Sequence, residues 1–468
     1  MTRMRGRAFL WRRIEALRDS ALARAGLGGF DLLAAAFFAL RGELYRALDH
    51  ACRVRRLARL PVLDALAARL AEWIEQRTCR DALGRPRPAR ENRLLDDFRG
   101  SAGCRALFTG GIRSFERLVT IGNELMILKE PDPRTGELGV LMVKYSQGFG
   151  RLAALYDLPR VLERYQVVLE PSWVGYQDPV FRLYFAHERT VVVQAQQPSD
   201  QKTIESLGAN LIAVPFGAGN WVDGEHFHPL PGLQKDYLAV YVANWAPHKR
   251  HELGLDALAR IEDPSARLAL VGYPWKGYTR ARLEREVARR GLASRVDFYE
   301  RINRKEVNRV LNRSHATLLL SRKEGASKVF YESLAAGTPV VVAEDHDGVR
   351  PESVNDRTGV RAPAQQLHAA MLMMREEARQ LDPHGWWQEN ASIQASTAAL
   401  ERVLCAAAVR EGRPWIRGLY RKKNDPNLQY CDPGLAERLA PAYRELAGLL
   451  RSDAELGCFD LSYERPAA

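Results

Sequence analysis

The chain has 468 residues, of which 46% are hydrophobic and 27% are charged. This balance is typical of a soluble globular protein, and the chain is too long for one ordinary core. We therefore predict two domains and an extension. The most apolar early run, residues 30–40, is about half as long as the roughly 20 residues that a membrane-spanning helix needs. We predict a buried or interfacial helix there.

The formal net charge of +12 is concentrated near one end of the chain. Residues 1–99 contain 21 Arg and no Lys against 12 Asp plus Glu, whereas the rest of the chain is nearly neutral. Such a basic segment can meet anionic lipid, nucleic acid or an acidic saccharide. The six cysteines show neither a C-x-x-C pair nor metal-type spacing, which favours a reducing, cytoplasmic compartment. Arginines interrupt the first apolar residues, so we predict no secretory signal.

Residues 1–100 are predicted to form a helical, basic N-terminal extension. Apolar residues recur at helical spacing within it, for example Leu63, Leu66, Leu70 and Ile74. Two interpretations stay open for residues 1–80. They can contact an anionic membrane peripherally, or they can form a helical cap on the body of the protein with solvated arginines. We favour the cap.

Strands and helices alternate at short spacing in residues 101–230, which predicts a parallel sheet with ligands at the carboxyl ends of its strands. The first predicted strand, Gly139–Tyr145, leads into a loop with two glycines. Gly148 in this loop is a candidate acceptor-side residue, because glycine lets a ligand approach the backbone closely. Glu170 and Trp173 follow the next strand. Glu170 could orient or deprotonate an acceptor and Trp173 could stack on a sugar; a turn carboxylate and a core aromatic are the alternative.

The same alternation continues through residues 231–405, where the most informative stretch is a helix between two buried strands. Ser327 is the predicted N-cap of that helix. Glu324 lies just before the helix and Glu332 lies inside it. Helix N-termini attract phosphate, and carboxylates accept hydrogen bonds from sugar hydroxyls, so a nucleotide-diphosphate sugar would suit both. The alternative is an ordinary amphipathic helix whose two glutamates are solvated.

The two glutamates also carry a family resemblance. Glu324 and Glu332 have seven residues between them, with Gly325 after the first and Ala335–Val340 after the second. This resembles the E-x7-E signature of retaining GT-B glycosyltransferases of family 4. Three further segments resemble parts of that family in the same order: Trp221–Pro229, Leu238–Lys249 and Leu268–Gly272.

The resemblance covers residues 139–405 and implies a GT-B fold. We therefore expect an α/β protein with two Rossmann-like, doubly wound parallel-sheet domains that face each other across a cleft. The acceptor domain would be residues 101–230 and the donor domain residues 231–405. Residues 406–468 are expected to form a helical tail that packs back on the first domain.

The resemblance implies a retaining transferase that moves a sugar from a nucleotide-diphosphate sugar to a saccharide or lipid-linked acceptor, in surface polysaccharide or glycolipid synthesis. Lys249 would stabilise the departing diphosphate, which is the main electrostatic task of the reaction. Glu324 would hold hydroxyls of the donor sugar and Glu332 the ribose. The other predicted donor-side residues are Asn244, Arg250, Gly272, Gly325, Ala326, Ser327 and Lys328.

Three positions depart from the family pattern. Asn244 stands where the family has an arginine, and Arg250 or Lys328 is the candidate substitute. Ser327 replaces a glycine at the helix entry. A histidine of the first domain is absent, and the segment around Glu170 stands in its place. Either the acceptor pocket is arranged differently or catalysis has been lost.

We expect no cofactor and no metal requirement. Asp345, His346 and Asp347 match the short D-x-D pattern that holds a metal in another transferase fold. We interpret this match as a chance one, because in a GT-B sheet the segment falls on a loop after a strand.

An arginine-rich nucleic-acid-binding protein is an interpretation of a different class. The arginines of the extension lie at helical period among Leu, Ala and Glu, without a recognisable nucleic-acid-binding motif. We therefore expect no specific nucleic-acid partner. The expected location is the cytoplasm, at the inner membrane face if the extension binds lipid.

Overall fold

The computed structural model describes most of the chain. The described residues are 21–57, 60–109, 111–112, 114–171, 176–377, 380–425, 427–452 and 456. The start of the predicted extension, residues 1–20, and the candidate acceptor residue Trp173 lie outside these ranges.

Helices make up the described part of the extension and the start of the first domain. They are α1 (Ala21–Leu40), α2 (Leu44–Leu57), α3 (Pro61–Thr78), α4 (Arg93–Gly100), α5 (Ala102–Ala106) and α6 (Phe115–Val119). Leu48 of α2 and Ile74 of α3 are fully buried and belong to the same apolar cluster as Leu141 and Val143 of the first sheet. The extension therefore packs on the body of the protein, in agreement with the interpretation as a cap.

The first sheet has five strands in chain order. They are β1 (Leu125–Lys129), β2 (Gly139–Lys144), β3 (Tyr165–Glu170), β4 (Val191–Gln194) and β5 (Leu211–Val214). Strand β1 is an antiparallel edge strand, and the other neighbours are parallel. The connecting helices are α7 (Tyr145–Leu155), α8 (Leu158–Arg164) and α9 (Pro198–Glu205).

The second sheet is fully parallel and has six strands. They are β6 (Tyr237–Val242), β7 (Leu268–Gly272), β8 (Val296–Glu300), β9 (Ser314–Leu319), β10 (Val340–Ala343) and β11 (Gly359–Ala362). The spatial order is β11-β10-β9-β6-β7-β8, so the chain reverses direction across the sheet between β6 and β9. The helices of this domain are α10 (His251–Ala259), α11 (Arg280–Arg289), α12 (Arg304–Asn312), α13 (Lys328–Ala335) and α14 (Leu367–Glu377). In such sheets, ligands bind at the carboxyl ends of the strands at the point of reversal.

A long helix crosses from the second domain back to the first. After α15 (Pro383–Asn390), helix α16 (Ile393–Arg410) places Leu400 and Leu404 in one apolar cluster with Val140 and Met142. These strand residues alternate with Leu141 and Val143, so the extension covers one face of the first sheet and α16 the other. Two Rossmann-like domains with this crossing helix confirm the predicted GT-B fold.

The C-terminal tail packs on the first domain, but it is not purely helical as predicted. It contains a hairpin of β12 (Lys422–Asp425) and β13 (Asn427–Tyr430), followed by α17 (Leu435–Arg438) and α18 (Ala440–Ala447). Leu439 and Leu446 join the core of the first domain. The hairpin was not predicted because its sequence shows little apolar alternation and because the residues it packs against lie far away in the chain.

The glycine loop predicted after the first strand is wrong. Residues 146–150 form the first turns of α7, and Gly148 is buried within that helix. A Cβ on Gly148 would lie 3.0 Å from Glu124 Oε2, so the glycine permits close packing of α7. Strand β1 was also missed by the sequence analysis.

The hairpin contacts both domains, the first through a buried ion pair and the second through a hydrogen bond. Lys422 Nζ lies 2.9 Å from Glu170 Oε2, and the two residues are 1% and 0% exposed as side chains. Asn424 Nδ2 donates to Glu170 Oε1 at 3.3 Å, and the carbonyl of Asn424 accepts from Lys328 Nζ of α13 at 2.8 Å. The tail thus connects the end of β3 in the first domain with the start of α13 in the second.

We predict that Lys422→Met lowers the thermal midpoint by at least about 5 °C. It leaves Glu170 buried with the Asn424 amide and, as its nearest cation, the more distant Lys144 at 4.0 Å, and breaking a buried pair from one side costs about 3–5 kcal/mol. The double variant Glu170→Gln, Lys422→Met should recover most of this loss, and Lys202→Ala on the surface serves as control. A single variant as stable as the parent would contradict the structural role of the pair.

Candidate active site

The site forms where the second sheet reverses direction. Strands β6 and β9 are neighbours, and each leads at its carboxyl end into a loop that carries a predicted catalytic residue. Lys249 ends a short 3-10 turn after β6, and Glu324 lies between β9 and α13. Lys249 Nζ and Glu324 Oε1 are 2.7 Å apart. The structure therefore brings together the two residues that the sequence placed 75 positions apart.

Glu324 is held from several sides. Its backbone N–H donates to the carbonyl of Asp347 at 2.7 Å, and the Ser321 hydroxyl donates to its carboxylate. Burial alone would raise the pKa of Glu324, but the charge of Lys249 and the hydrogen bonds from Lys249 and Ser321 outweigh it, so this pKa is lowered. Glu324 is thus a carboxylate at neutral pH and can only accept hydrogen bonds, as contact with sugar hydroxyls requires.

Arg250, the predicted substitute for a missing diphosphate cation, is occupied. It has a left-handed backbone with φ of 52°, which is uncommon for a residue with a side chain. Its Nε donates to the carbonyl of Leu320 at 2.5 Å, and its two terminal nitrogens form a bidentate pair with Asp345 at 2.7 Å each. In this conformation Arg250 connects the loops after β9 and β10, and both ends of its guanidinium group are paired within the protein.

The D-x-D segment is engaged in protein contacts throughout. Asp345 pairs with Arg250, and Asp347 lies 3.7 Å from Lys323. Nδ1 of His346 lies 2.6 Å from the carbonyl of Ser321, and burial lowers the pKa of His346. Within the described ranges, no group of three or more His, Cys, Asp or Glu side chains is arranged to hold a metal ion.

Asn244 and Gly272 shape the loops at the same end of the sheet. The side-chain oxygen of Asn244 accepts from the N–H of Ala246 at 3.2 Å and closes a turn. A Cβ on Gly272 would lie 2.1 Å from the carbonyl oxygen of Ala243, so only glycine fits there. Both residues lie beside the Lys249 loop, where they determine backbone shape.

The entry to α13 contains Gly325, Ala326 and Ser327. Ser327 occupies the predicted N-cap position, but its side chain makes no capping hydrogen bond. Its N–H donates to the carbonyl of Gly348 at 3.3 Å, and its hydroxyl is buried without a partner among the described residues. An unsatisfied buried hydroxyl next to a helix N-terminus leaves a donor and acceptor for a ligand.

Lys328 and Glu332 lie one turn apart on α13, 3.8 Å from each other. Burial lowers the pKa of Lys328 and raises the pKa of Glu332, and their mutual attraction opposes both shifts. Since Lys328 also donates to Asn424 in the tail hairpin, this pair connects the predicted ribose-binding residue with the domain interface.

Glu170 has a different environment from the one that the sequence suggested. It is fully buried and paired with Lys422 and Asn424, so no carboxylate oxygen is exposed to an acceptor. The structure thus assigns Glu170 to the domain interface and contradicts its predicted contact with the acceptor. Sequence analysis missed Lys422 and Asn424, because neither stands in a recognisable pattern.

Asp200 is a further ionisable group beside the site. It is 7% exposed, lies in the first turn of α9, and interacts electrostatically with Lys323 and Asp347. Burial raises its pKa to about 7, with Lys323 opposing and Asp347 adding to the shift. Because the folded pKa lies above the unfolded one, Asp200 lowers stability progressively as the pH rises from about 4 to 7.

We predict that Asp200→Asn stabilises the protein at pH 8 and has little effect at pH 4. A shift of about three pKa units corresponds to about 4 kcal/mol at most. Thermal midpoints of the parent and the variant across this pH range test it, with the exposed Asp356→Asn as control. An equal effect of Asp200→Asn at both ends of the range would show that charge burial is not the cause.

The comparisons with known proteins agree with this geometry. Residues 225–404 match the family model of glycosyl transferases group 1, and this range contains Lys249, Glu324 and Glu332. The comparison with curated proteins found no significant match.

Similar solved structures share low sequence identity with the chain. Sucrose-phosphate synthase from Thermosynechococcus elongatus is 19% identical over 57% of this chain and 73% of that chain, with a TM-score of 0.46. Anabaena HepE in complex with UDP is 16% identical over 57% and 78%, also with a TM-score of 0.46. The lipopolysaccharide outer core galactosyltransferase WaaB in its apo form is 14% identical over 57% and 75%, with a TM-score of 0.42. The match of residues 225–404 to the glycosyl transferases group 1 model supports a transferase enzyme, and the two Rossmann-like sheets give the chain a GT-B fold.

Proposed function

We propose that the protein transfers a sugar from a nucleotide-diphosphate sugar to a saccharide or lipid-linked acceptor, with retention of anomeric configuration. The observation that carries this proposal is the Lys249–Glu324 pair at the reversal point of the second sheet, inside the matched domain. A cation for a diphosphate and a carboxylate for sugar hydroxyls meet there at 2.7 Å.

Donor binding would exchange partners within this pair. The diphosphate brings negative charge to Lys249, and Glu324 is released to accept hydrogen bonds from the donor sugar. As the bond between the anomeric carbon and the phosphate oxygen breaks, charge grows on the leaving diphosphate, where Lys249 stabilises it. The N-terminus of α13 and the hydroxyl of Ser327 supply further donors to the same phosphates.

Glu332 is proposed to bind the nucleotide ribose from the adjacent turn of α13. Its side chain is only 13% exposed and lies 3.8 Å from Lys328 Nζ, which is its charge partner. Gly325 and Ala326 form the approach to this turn. The backbone there lets the donor approach the helix closely.

The reaction needs no separate protein base in this proposal. The acceptor hydroxyl attacks from the side of the leaving group, its oxygen forms the new bond to the anomeric carbon, and its proton passes to the leaving phosphate oxygen. This mechanism comes from the family resemblance. The burial of Glu170 supports it, because this carboxylate is paired with Lys422 and cannot act as the base.

We further propose that turnover requires no metal. Both carboxylates of the D-x-D segment have cationic partners, Arg250 and Lys323. Activity should therefore be the same in a chelator and in manganese. Loss of activity in the chelator with recovery in manganese would overturn this part of the proposal.

We predict that Lys249→Ala lowers kcat/KM by the equivalent of about 2–4 kcal/mol, by analogy with lost oxyanion donors. Glu324→Gln should also lose activity, because it weakens both the sugar contact and the Lys249 pair. Donors are first selected by thermal shift with UDP-, GDP-, dTDP- and ADP-sugars, since a ligand at about 100 times its Kd adds about 2.7 kcal/mol of stability. Hydrolysis and transfer are then measured.

The surface variant Lys202→Ala should keep the parent activity in this assay. Equal activity of Lys249→Ala, Glu324→Gln and the parent would remove the site assignment. Donor binding without any turnover would instead favour a scaffold that has lost catalysis.

We also propose peripheral contact with an anionic membrane at the cytoplasmic face, through α1. Five apolar residues lie at helical spacing on this helix and are 41% to 89% exposed: Leu27, Phe30, Leu33, Phe37 and Leu40. The nearby side chains of Arg41 and Arg46 are 62% and 49% exposed; both pair with Glu43, at 3.1 and 3.2 Å, and would exchange this partner for anionic headgroups. Across the described part of the chain, no helix has the length and apolar character to span a membrane.

We predict that Leu33→Ser, Phe37→Ser weakens binding to vesicles containing anionic phospholipid at least about tenfold. Each buried apolar side chain contributes about 1.5–3 kcal/mol to such binding. Cosedimentation with vesicles measures it, and Leu83→Ser, at a residue that is 76% exposed outside α1, is the matched control. Equal binding of the double variant and the parent would contradict contact through this stripe.

A further inference from the structure

A cavity of about 590 Å³ lies at the edge of the first sheet, where the C-terminal tail covers β1. Within the described ranges, none of the residues predicted from the sequence as donor or acceptor contacts lines it. Its apolar wall comes from α6, β1, the hairpin and α17, and includes Phe115, Val119, Leu125, Met126, Leu428 and Ala436.

Two tyrosines that line the cavity present ring carbon to it. The hydroxyl of Tyr430 donates to the carbonyl of Ile127 at 2.8 Å, and the hydroxyl of Tyr443 accepts from the N–H of Ile127 at 3.2 Å. The two hydroxyl oxygens are 2.8 Å apart. They therefore satisfy the backbone of the edge strand, and their polar atoms are occupied.

The polar groups of the cavity lie at its rim. Glu116, Asp432 and Arg444 are exposed, whereas Leu125, Met126 and Leu428 are buried. Thr120 directs its hydroxyl to the carbonyl of Glu116 at 2.9 Å. An apolar interior with a charged rim fits an amphiphile whose chain enters and whose head stays outside.

The hairpin places this cavity next to the donor helix. Leu428, in the wall, is the cross-strand partner of Asn424, and the carbonyl of Asn424 accepts from Lys328 at the start of α13. Such partners lie about 5 Å apart. On the other side, Leu125 pairs with Val143, one residue before the carboxyl end of β2. The cavity is thus on the acceptor side of the cleft.

We propose that this cavity binds the aliphatic chain of a lipid-linked acceptor and so determines the acceptor class. This rests on the proposed function, since only a transferase has an acceptor. The chain lies against Met126 and Leu428 while the sugar extends past the hairpin toward α13. Burial of each methylene should tighten acceptor binding about fourfold.

The first experiment measures binding without turnover. The probe is cis-parinaric acid, a fluorescent polyene fatty acid, titrated into the full chain. Ala436→Trp should fill the cavity and weaken probe binding at least tenfold, while Ala281→Trp, on an exposed helix of the other domain, should leave it unchanged. Glu324→Gln and Leu33→Ser, Phe37→Ser should also bind normally. Parent-like binding by Ala436→Trp, or no saturable binding by the parent, overturns the proposal.

Ala436→Glu replaces the tryptophan variant if that variant is unstable. The position is exposed, so the added charge should be tolerated, and this charge should also repel the fatty acid. Parent-like binding by a folded Ala436→Glu likewise overturns the proposal. If no donor supports turnover but the probe binds as expected, the proposed function fails while the cavity assignment as a chain-binding site stands.

The second experiment tests that the chain belongs to an acceptor. Butyl, hexyl, octyl and decyl β-glucosides serve as acceptors below their micelle concentrations. KM should fall about fourfold per methylene in the parent and in Ala281→Trp, and the dependence should flatten in Ala436→Trp. A KM independent of chain length, together with weaker vesicle binding of Ala436→Trp, would assign the cavity to bilayer acyl chains and overturn the acceptor role.

Discussion

The structure of the site depends on the contact between Lys249 and Glu324. Strands β6 and β9 are adjacent although 71 residues separate Val242 from Ser314 by number, with two further strands between them. Only this adjacency brings a lysine and a glutamate from separate loops to 2.7 Å. The pair lowers the pKa of a carboxylate whose burial would otherwise raise it, so Glu324 stays ionised beside Lys249. A ligand with an anionic group for the lysine and hydroxyls for the glutamate suits this pair, and a nucleotide-diphosphate sugar has both.

The C-terminal tail is the second constraint on the cleft. A buried ion pair seldom adds net stability over an apolar contact, because each charge must be desolvated. The Glu170–Lys422 pair is nevertheless fully buried, and its role is to set the position of the tail rather than to add stability. An apolar hairpin could pack against β3 in several registers. Lys422 and Asn424 must instead both contact the carboxylate of Glu170. The carbonyl of Asn424 must at the same time accept a hydrogen bond from Lys328. The pair therefore fixes where the tail lies between the two domains.

The sequence predicted elements that are visible in short windows. The strands of the second sheet are buried apolar runs between turns, and the site at Lys249 and Glu324 follows from the family pattern. Strand β1 and the hairpin escaped detection, because β1 gains its pairing from β2 and from tyrosines more than 300 positions away. Glu170 was misassigned for the same reason. Its position after a strand is local information, but its partner Lys422 is 252 residues distant. The family resemblance ends at residue 405 and so does not cover the tail segment that contains Lys422.

These contacts also explain why the first domain can depart from the family pattern while the Lys249–Glu324 pair stays in place. Lys249, Glu324 and α13 belong to one domain and are fixed by one sheet. The surface opposite them is composite, since β1, β3 and the tail each contribute, and a change in the tail alters it while the second sheet stays intact. The absent histidine and the buried Glu170 both belong to this surface formed by β1, β3 and the tail. In the proposed mechanism the proton of the acceptor passes to the leaving phosphate, so the first domain would supply shape and burial rather than a base, and the tail can supply both.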